Sequence, residues 1–255
     1  MKADRLIAKA LAHPDPASCQ KAIECLKALC ESSPGDPVVL NNLGCVYLQS
    51  GMAAEAIGAF EEALNGTPGN SMILNNLGYA LIVAGDFARA RKHLAKALRK
   101  SPEDVEVLNN CGLLESHEKN YARAIEYYQR VLDQLPENLD TLNNMGCALK
   151  NEGRFSEALE VFARIVKARP RDVEALNNLG CTYLSLDLAA QAVDYLERAA
   201  QAARDDPAVI YNLAAAYMRL SRPVDARRSF RMYLELPGEK THEKEVRRCL
   251  DHLSD

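Results

Sequence analysis

Five pairs of neighbouring asparagines punctuate this chain at a fixed spacing of 34 residues: Asn41–Asn42, Asn75–Asn76, Asn109–Asn110, Asn143–Asn144 and Asn177–Asn178. Asn212 keeps the second place alone in a faded sixth copy, Ile210-Tyr211-Asn212-Leu213-Ala214. A carboxamide offers two N–H donors and an acceptor oxygen, the complement of a peptide unit, so a row of them could grip a polypeptide backbone. Asn is also a poor helix residue, because its side chain competes for backbone hydrogen bonds, so something should compensate for repeating it. The other reading is that the amides bond to adjacent helices and satisfy buried polar groups, or that duplication of one unit has carried the motif along. The ligand-facing reading is preferred for the second asparagine of each pair; for the first, the two stay level. Three acids, Glu106, Asp140 and Glu174, also recur in phase. They either select Lys or Arg in a ligand by charge complementarity or favour a helix N-terminus, and the helix reading is preferred.

The elements that hold these residues follow from the same period. With residue 37 as position 1, leucine or a relative falls at positions 4 and 7, glycine at 8, alanine at 20, a large apolar residue at 24 and proline at 32. The first unit gives Leu40, Leu43, Gly44, Ala56, Phe60 and Pro68; the second gives Leu74, Leu77, Gly78, Ala90, Leu94 and Pro102; the fourth gives Leu142, Met145, Gly146, Ala158, Phe162 and Pro170. The small residues suit a close crossing of two helices, and the proline stops the second helix. Arg204 replaces that proline in the fifth unit and should leave its helix end less firmly set. Asp36, Asn70, Asp104, Asn138, Asp172 and Asp206 close the units as N-caps of the next helix, with Pro37 and Pro207 at the first helical position. Near position 15 the helices are divided by Gly51, Gly85 and Gly153, with Lys119, Asp187 and Ser221 elsewhere. Glu115, a charge at a usually apolar place, suggests a looser third unit.

This pattern resembles the tetratricopeptide repeat (TPR) family over nearly the whole chain. The resemblance implies an all-α, right-handed superhelical solenoid of antiparallel helix pairs, with the first helix (A) of each pair lining a concave groove and the second (B) the convex side. Residues 1–36 would be a divergent N-terminal repeat, its first helix shortened by Pro14 and Pro16. Residues 37–240 would be six full repeats, and residues 241–255 a capping helix started by Thr241. That helix would carry a stripe of Val246, Cys249, Leu250 and Leu253, and a Glu243–Arg247 pair. Fifteen helices are expected if the short ones at both ends form. By the same resemblance, positions 2, 5, 6, 9, 12 and 13 lie in or beside the groove. Asn42, Asn76, Asn110, Asn144, Asn178 and Asn212 hold position 6; the other five asparagines hold position 5, and the three acids position 2. The rows resemble the asparagine ladder lining the repeat domain of O-linked N-acetylglucosamine transferase, a likeness confined to the repeats. Adjacent A helices lie about 10 Å apart and an extended chain advances about 3.3 Å per residue, so each rung would meet every third ligand residue.

Composition narrows the function classes. A net charge of −4 argues against general nucleic-acid binding, which needs many phosphate-neutralising cations. The basic runs, Arg89 to Lys100 and Arg227 to Arg231, have helical spacing and read as solvated outer faces. No apolar run is long enough to span a bilayer, and the N-terminus lacks the apolar core of a signal peptide. Eight cysteines without a C-x-x-C pair read as reduced thiols of the cytoplasm. The five histidines are scattered, none at metal-ligand spacing, and no catalytic constellation or phosphate loop appears. Positions 5 and 6 carry no Lys or Arg, which removes a carboxylate clamp. The expectation is a non-enzymatic scaffold, with no cofactor or metal, that binds an extended protein segment. The alternatives are a self-assembling solenoid and a recruiting subunit of an enzyme complex.

Overall fold

The computed structural model describes residues 8, 10, 15–238 and 240–253. Among them are fourteen helices and no strand: α1 (Pro16–Ser32), α2 (Pro37–Gln49), α3 (Ala53–Gly66), α4 (Ser71–Val83), α5 (Phe87–Lys100), α6 (Val105–His117), α7 (Tyr121–Gln134), α8 (Leu139–Glu152), α9 (Phe155–Ala168), α10 (Val173–Ser185), α11 (Ala189–Ala202), α12 (Pro207–Arg219), α13 (Pro223–Glu235) and α14 (Glu243–His252). The fold class is the expected one, an all-α repeat of helix pairs. The fifteenth helix, and the effect of Pro14, fall on residues outside those described. The chain forms two compact units, Met1–Gln134 and Leu135–Asp255. In the first, α2, α4 and α6 are the A helices and α3, α5 and α7 their B partners; in the second, α8, α10 and α12 pair with α9, α11 and α13.

Local chemistry sets these boundaries. The carboxylate or amide of each expected cap accepts from the next helix: Asp36 from Val38 N–H (2.8 Å), Asn70 from Ile73 (3.2 Å), Asp104 from Glu106 (3.0 Å), Asn138 from Thr141 (3.0 Å), Asp172 from Ala175 (3.0 Å) and Asp206 from Ala208 (2.9 Å). Between helices A and B the chain turns through a left-handed residue in every repeat. Gly51, Gly85 and Gly153 take it without penalty, but Lys119 (φ 63°), Asp187 (φ 60°) and Ser221 (φ 57°) hold the same conformation, which crowds a Cβ.

The glycine at position 8 makes room chiefly for the large residue at position 24, a different pairing from the glycine–alanine crossing expected. A Cβ on Gly44 would stand 2.5 Å from the Phe60 ring, on Gly112 2.5 Å from Tyr128, and on Gly146 2.6 Å from Phe162. Those aromatic rings are buried, as are Ala56, Ala90 and Ala158. Three arginines in phase supply a lock that the sequence reading passed over. Arg130, Arg164 and Arg198, all at position 26, donate to the carbonyls of Pro102 (2.6 Å), Pro136 (2.6 Å) and Pro170 (3.4 Å), each in the preceding repeat.

Three expectations need correction. Arg204 does not loosen its helix, because position 32 lies beyond the helix end: α11 stops at Ala202 and the Ala203 N–H closes it on Ala199, as Ser101 closes α5 on Ala97. Thr241 is not the cap of α14. His242 occupies that place, giving its backbone N–H to Tyr233 Oη (3.1 Å) and stacking its ring on Tyr211 at 4.1 Å. The stripe and the pair expected of this helix are present: Val246 is fully buried, Cys249, Leu250 and Leu253 pack on the cluster around Phe230 and Tyr233, and Arg247 bonds Glu243 at 2.7 Å. Nor does Glu115 loosen the third repeat. Its side chain is only 3% exposed, held by Arg91 Nη1 (2.8 Å) and Asn120 Nδ2 (2.9 Å), with Arg123 at 3.5 Å and Arg91 also bonded to Glu118. Burial alone would raise the pKa of this carboxyl; the hydrogen bonds and positive charges outweigh it and hold the group below its usual range.

Candidate functional site on the A-helix faces

Positions 2, 6, 9 and 13 follow one another by four, three and four residues, so they stack on one face of each A helix. In the first unit this face carries Val38, Asn42, Cys45 and Gln49 on α2; Met72, Asn76, Tyr79 and Val83 on α4; Glu106, Asn110, Leu113 and His117 on α6. Adjacent A helices touch, α2 with α4 and α4 with α6. The face is markedly apolar at its start, with Val38 68%, Met72 57% and Val83 54% exposed. In the second unit the same positions give Asp140, Asn144, Cys147 and Asn151 on α8, then Glu174, Asn178, Cys181 and Ser185 on α10, then Ala208, Asn212, Ala215 and Arg219 on α12.

The asparagines form a directed ladder. Position 6 donates Nδ2–H to the Oδ1 of position 5 in the preceding repeat: Asn76 to Asn41 (2.9 Å) and Asn110 to Asn75 (2.9 Å) in the first unit, Asn178 to Asn143 (3.2 Å) and Asn212 to Asn177 (2.9 Å) in the second. In the first unit position 5 is the inner partner, with Asn41 and Asn75 buried; Asn109, Asn143 and Asn177 are half-buried. Position 6 is half-buried at Asn42, Asn76, Asn110, Asn144 and Asn212. Among the described hydrogen bonds, the Oδ1 of Asn76, Asn110 and Asn212 accepts none; Asn110 and Asn212 also keep a second N–H, whereas the Asn76 amide additionally reaches Cys45 Sγ at 3.6 Å. Asn178 differs. It is 8% exposed and its Oδ1 already accepts from Lys150 Nζ at 3.1 Å.

The acids at position 2 are all exposed. Glu106 and Glu174 lie in the first turns of their helices, as does Asp140, and Glu174 additionally accepts from Asn143 Nδ2 at 2.6 Å, tying acid and ladder together. Burial pushes the Cys45 and Cys111 thiols up to about 11, and those of Cys147 and Cys181 upward too; such thiols stay protonated near neutral pH. His117 stacks on Phe87 at 5.3 Å. Among the described residues no group of His, Cys, Asp and Glu stands where it could hold a metal ion. No helix among them is long and apolar enough to cross a membrane.

The sequence reading missed how each ladder bond is made, although the signal was present. Position 6 to the previous position 5 is a step of 35 residues, one more than the period, and both residue types recur at it.

Paired helices that repeat in phase, with the same positions of each A helix on one face, define a helical-repeat fold. Three models of that kind match: the TPR domain of cytochrome c-type biogenesis protein H over residues 31–142, and two tetratricopeptide repeat models over residues 117–179 and 173–206. Over residues 31–206 the chain is made of tetratricopeptide repeats. No curated protein sequence matches it significantly. Among solved structures, a tetratricopeptide repeat protein from Parabacteroides merdae is similar with a TM-score of 0.72 at 21% identity, covering 99% of each chain. The Cut9–Hcn1 assembly of the APC/C gives 0.76 at 17% identity, over 100% of this chain and 55% of that one. YrrB, described as a TPR protein with an unusual peptide-binding site, gives 0.58 at 22% identity, over 74% and 97%. At these identities the likeness is one of fold.

Proposed function

We propose that the chain is a non-enzymatic scaffold that holds an extended segment of a protein partner against the A-helix faces, in the cytoplasm. The observation that carries this reading is the half-open position-6 amide: at Asn110 and Asn212 one N–H is spent on the ladder while an oxygen and a second N–H remain, one acceptor and one donor for a passing peptide, and Asn76 keeps its oxygen. Position 5 then serves mainly to aim position 6. The likeness to the ladder of O-linked N-acetylglucosamine transferase supports the same reading, as does the peptide-binding site in the description of YrrB. The position-2 acids would favour Lys or Arg in the bound segment. The first family match, to a domain of a cytochrome c biogenesis protein, supports the second reading, a recruiting subunit within an enzyme complex.

The test is a display selection of unstructured peptides on the full chain, followed by affinity measurements on the selected peptides. Replacing Asn76, Asn110 and Asn212 with Ala should weaken those peptides roughly tenfold to a thousandfold, at about 0.5–1.5 kcal/mol per rung. Lys92→Ala with Lys96→Ala, on the outer helix α5, should change affinity little. If no peptide is enriched, or the outer control loses as much as the ladder variant, the A-helix faces are not the binding surface.

A further inference from the structure

The outer lock described above is neutral where it first appears. Arg130 bonds the carbonyl of Pro102 and also pairs with Glu103 at 2.7 Å. Two repeats later the geometry recurs with different charges. Arg198 bonds the carbonyl of Pro170 at 3.4 Å, but the residue equivalent to Glu103 is Arg171. The next position-32 residue, proline in the four preceding repeats, is Arg204. Arg171, Arg198 and Arg204 together line a hollow of about 900 Å³, with Gln201 beside them and no carboxylate in its walls.

Like charges gathered in this way cost stability, and departures from a repeat's own rules concentrate where a function compensates for them. Among the described residues none of the three arginines has an ion-pair partner. Of the acids near them in sequence, Asp172 caps Ala175, Asp206 caps Ala208 and Val209, Glu197 accepts from Tyr217 Oη and lies 3.9 Å from Arg222, and Asp194, one turn before Arg198, is outside the lining. Asp205 is outside the lining. Arg198 is further oriented, its guanidinium lying 5.3 Å from the centre of the Tyr195 ring, which itself stacks on Tyr183. A guanidinium is a planar fork suited to phosphate oxygens. Three forks match the three terminal oxygens of a phosphate monoester better than the two of a carboxylate.

We propose that Arg171, Arg198 and Arg204 form a binding site for a phosphate group, supplied either as a small anion or on a phosphorylated side chain of a protein partner. The site is separate from the A-helix faces, so it stands or falls independently of the peptide scaffold.

Calorimetry on the full chain tests it with three probes: inorganic phosphate, a short neutral peptide bearing one phosphoserine, and its unphosphorylated twin. Arg171→Glu recreates the Arg130–Glu103 arrangement and Arg204→Pro restores the residue found in the four preceding repeats, so both variants keep contacts the fold already uses. The wild type should bind the phosphate-bearing probes and ignore the twin. Each variant should weaken binding by about tenfold or more, while Lys92→Ala with Lys96→Ala leaves it unchanged. Tighter binding of the phosphopeptide than of phosphate assigns the group to a modified partner; equal binding assigns it to the free anion. The proposal is overturned if neither phosphate probe binds, if the twin binds equally, or if both variants bind like the wild type.

Discussion

Replacing Asn110 with Ala separates what the ladder does for the fold from what it does for a ligand. The change removes the 2.9 Å bond to Asn75 and strands the Oδ1 of a residue that is 3% exposed. An acceptor left buried without its donor costs about 1–3 kcal/mol. Ala is the better helix former by up to about 0.7 kcal/mol, so the net loss should be roughly 0.5–2.5 kcal/mol. Asn75→Ala is milder, because the Asn110 amide it releases is half-buried and can turn to water. The double variant strands nothing and should cost no more than Asn110→Ala alone, a coupling of about 0.5–1.5 kcal/mol. Urea unfolding followed by helical circular dichroism, with the slope checked in each variant, measures all three. Additivity within about 0.3 kcal/mol would mean that the bond contributes nothing and that the ladder is held by packing alone.

Gly112→Ala drives a methyl into the Tyr128 ring and should cost about 1–3 kcal/mol, whereas Gly58→Ala, with nothing within 4 Å, should be neutral or stabilising by up to about 1 kcal/mol; equal thermal midpoints would refute the assignment. Lys119→Gly relieves a left-handed backbone at φ 63° and should add about 0.5–1 kcal/mol, read as a higher urea midpoint. Arg91→Ala leaves the Glu115 carboxylate with weaker partners and should cost up to about 3 kcal/mol near pH 7. Because the folded pKa of Glu115 is depressed, the stability this network adds is complete above the ordinary carboxylate range and lost as pH falls through the folded value. The gap between wild type and Arg91→Ala should therefore narrow in acid, and a gap independent of pH would contradict the network's role.

The period announced nearly every helix, because caps, glycines and prolines act within a turn of where they stand. Asp36 or Asp206 needs no distant partner to start a helix, so its role is readable from a few residues. Partnerships between repeats are harder to read. Glu115 looked out of place because its neutralising partner, Arg91, lies 24 residues upstream in another helix, and no local rule connects the two. The asparagines stood out correctly as paired polar residues, but which of each pair faces inward depends on how one A helix lies against the last. His242 took the cap position expected of Thr241 because Tyr211 and Tyr233 offer its ring and its N–H a place, a tertiary contact that overrides the capping preference.

Most contacts between repeats recur every 34 residues, so on packing grounds one repeat could follow almost any other. The buried carboxylate breaks that equivalence. At the place of Glu115 the other repeats carry Tyr47, Leu81, Leu149, Tyr183 and Tyr217, and at the place of Arg91 they carry Ile57, Ile125, Leu159, Val193 and Arg227. Residues 105–138 placed after any of the four aliphatic versions would bury a carboxylate that has lost Arg91 and keeps only the more distant Arg123. One ion pair thus acts as an address between neighbours, fixing the order of two modules that are otherwise interchangeable. Recombination that preserves the repeat phase yet parts Arg91 from Glu115 would yield a chain of the right length with a fault at that joint.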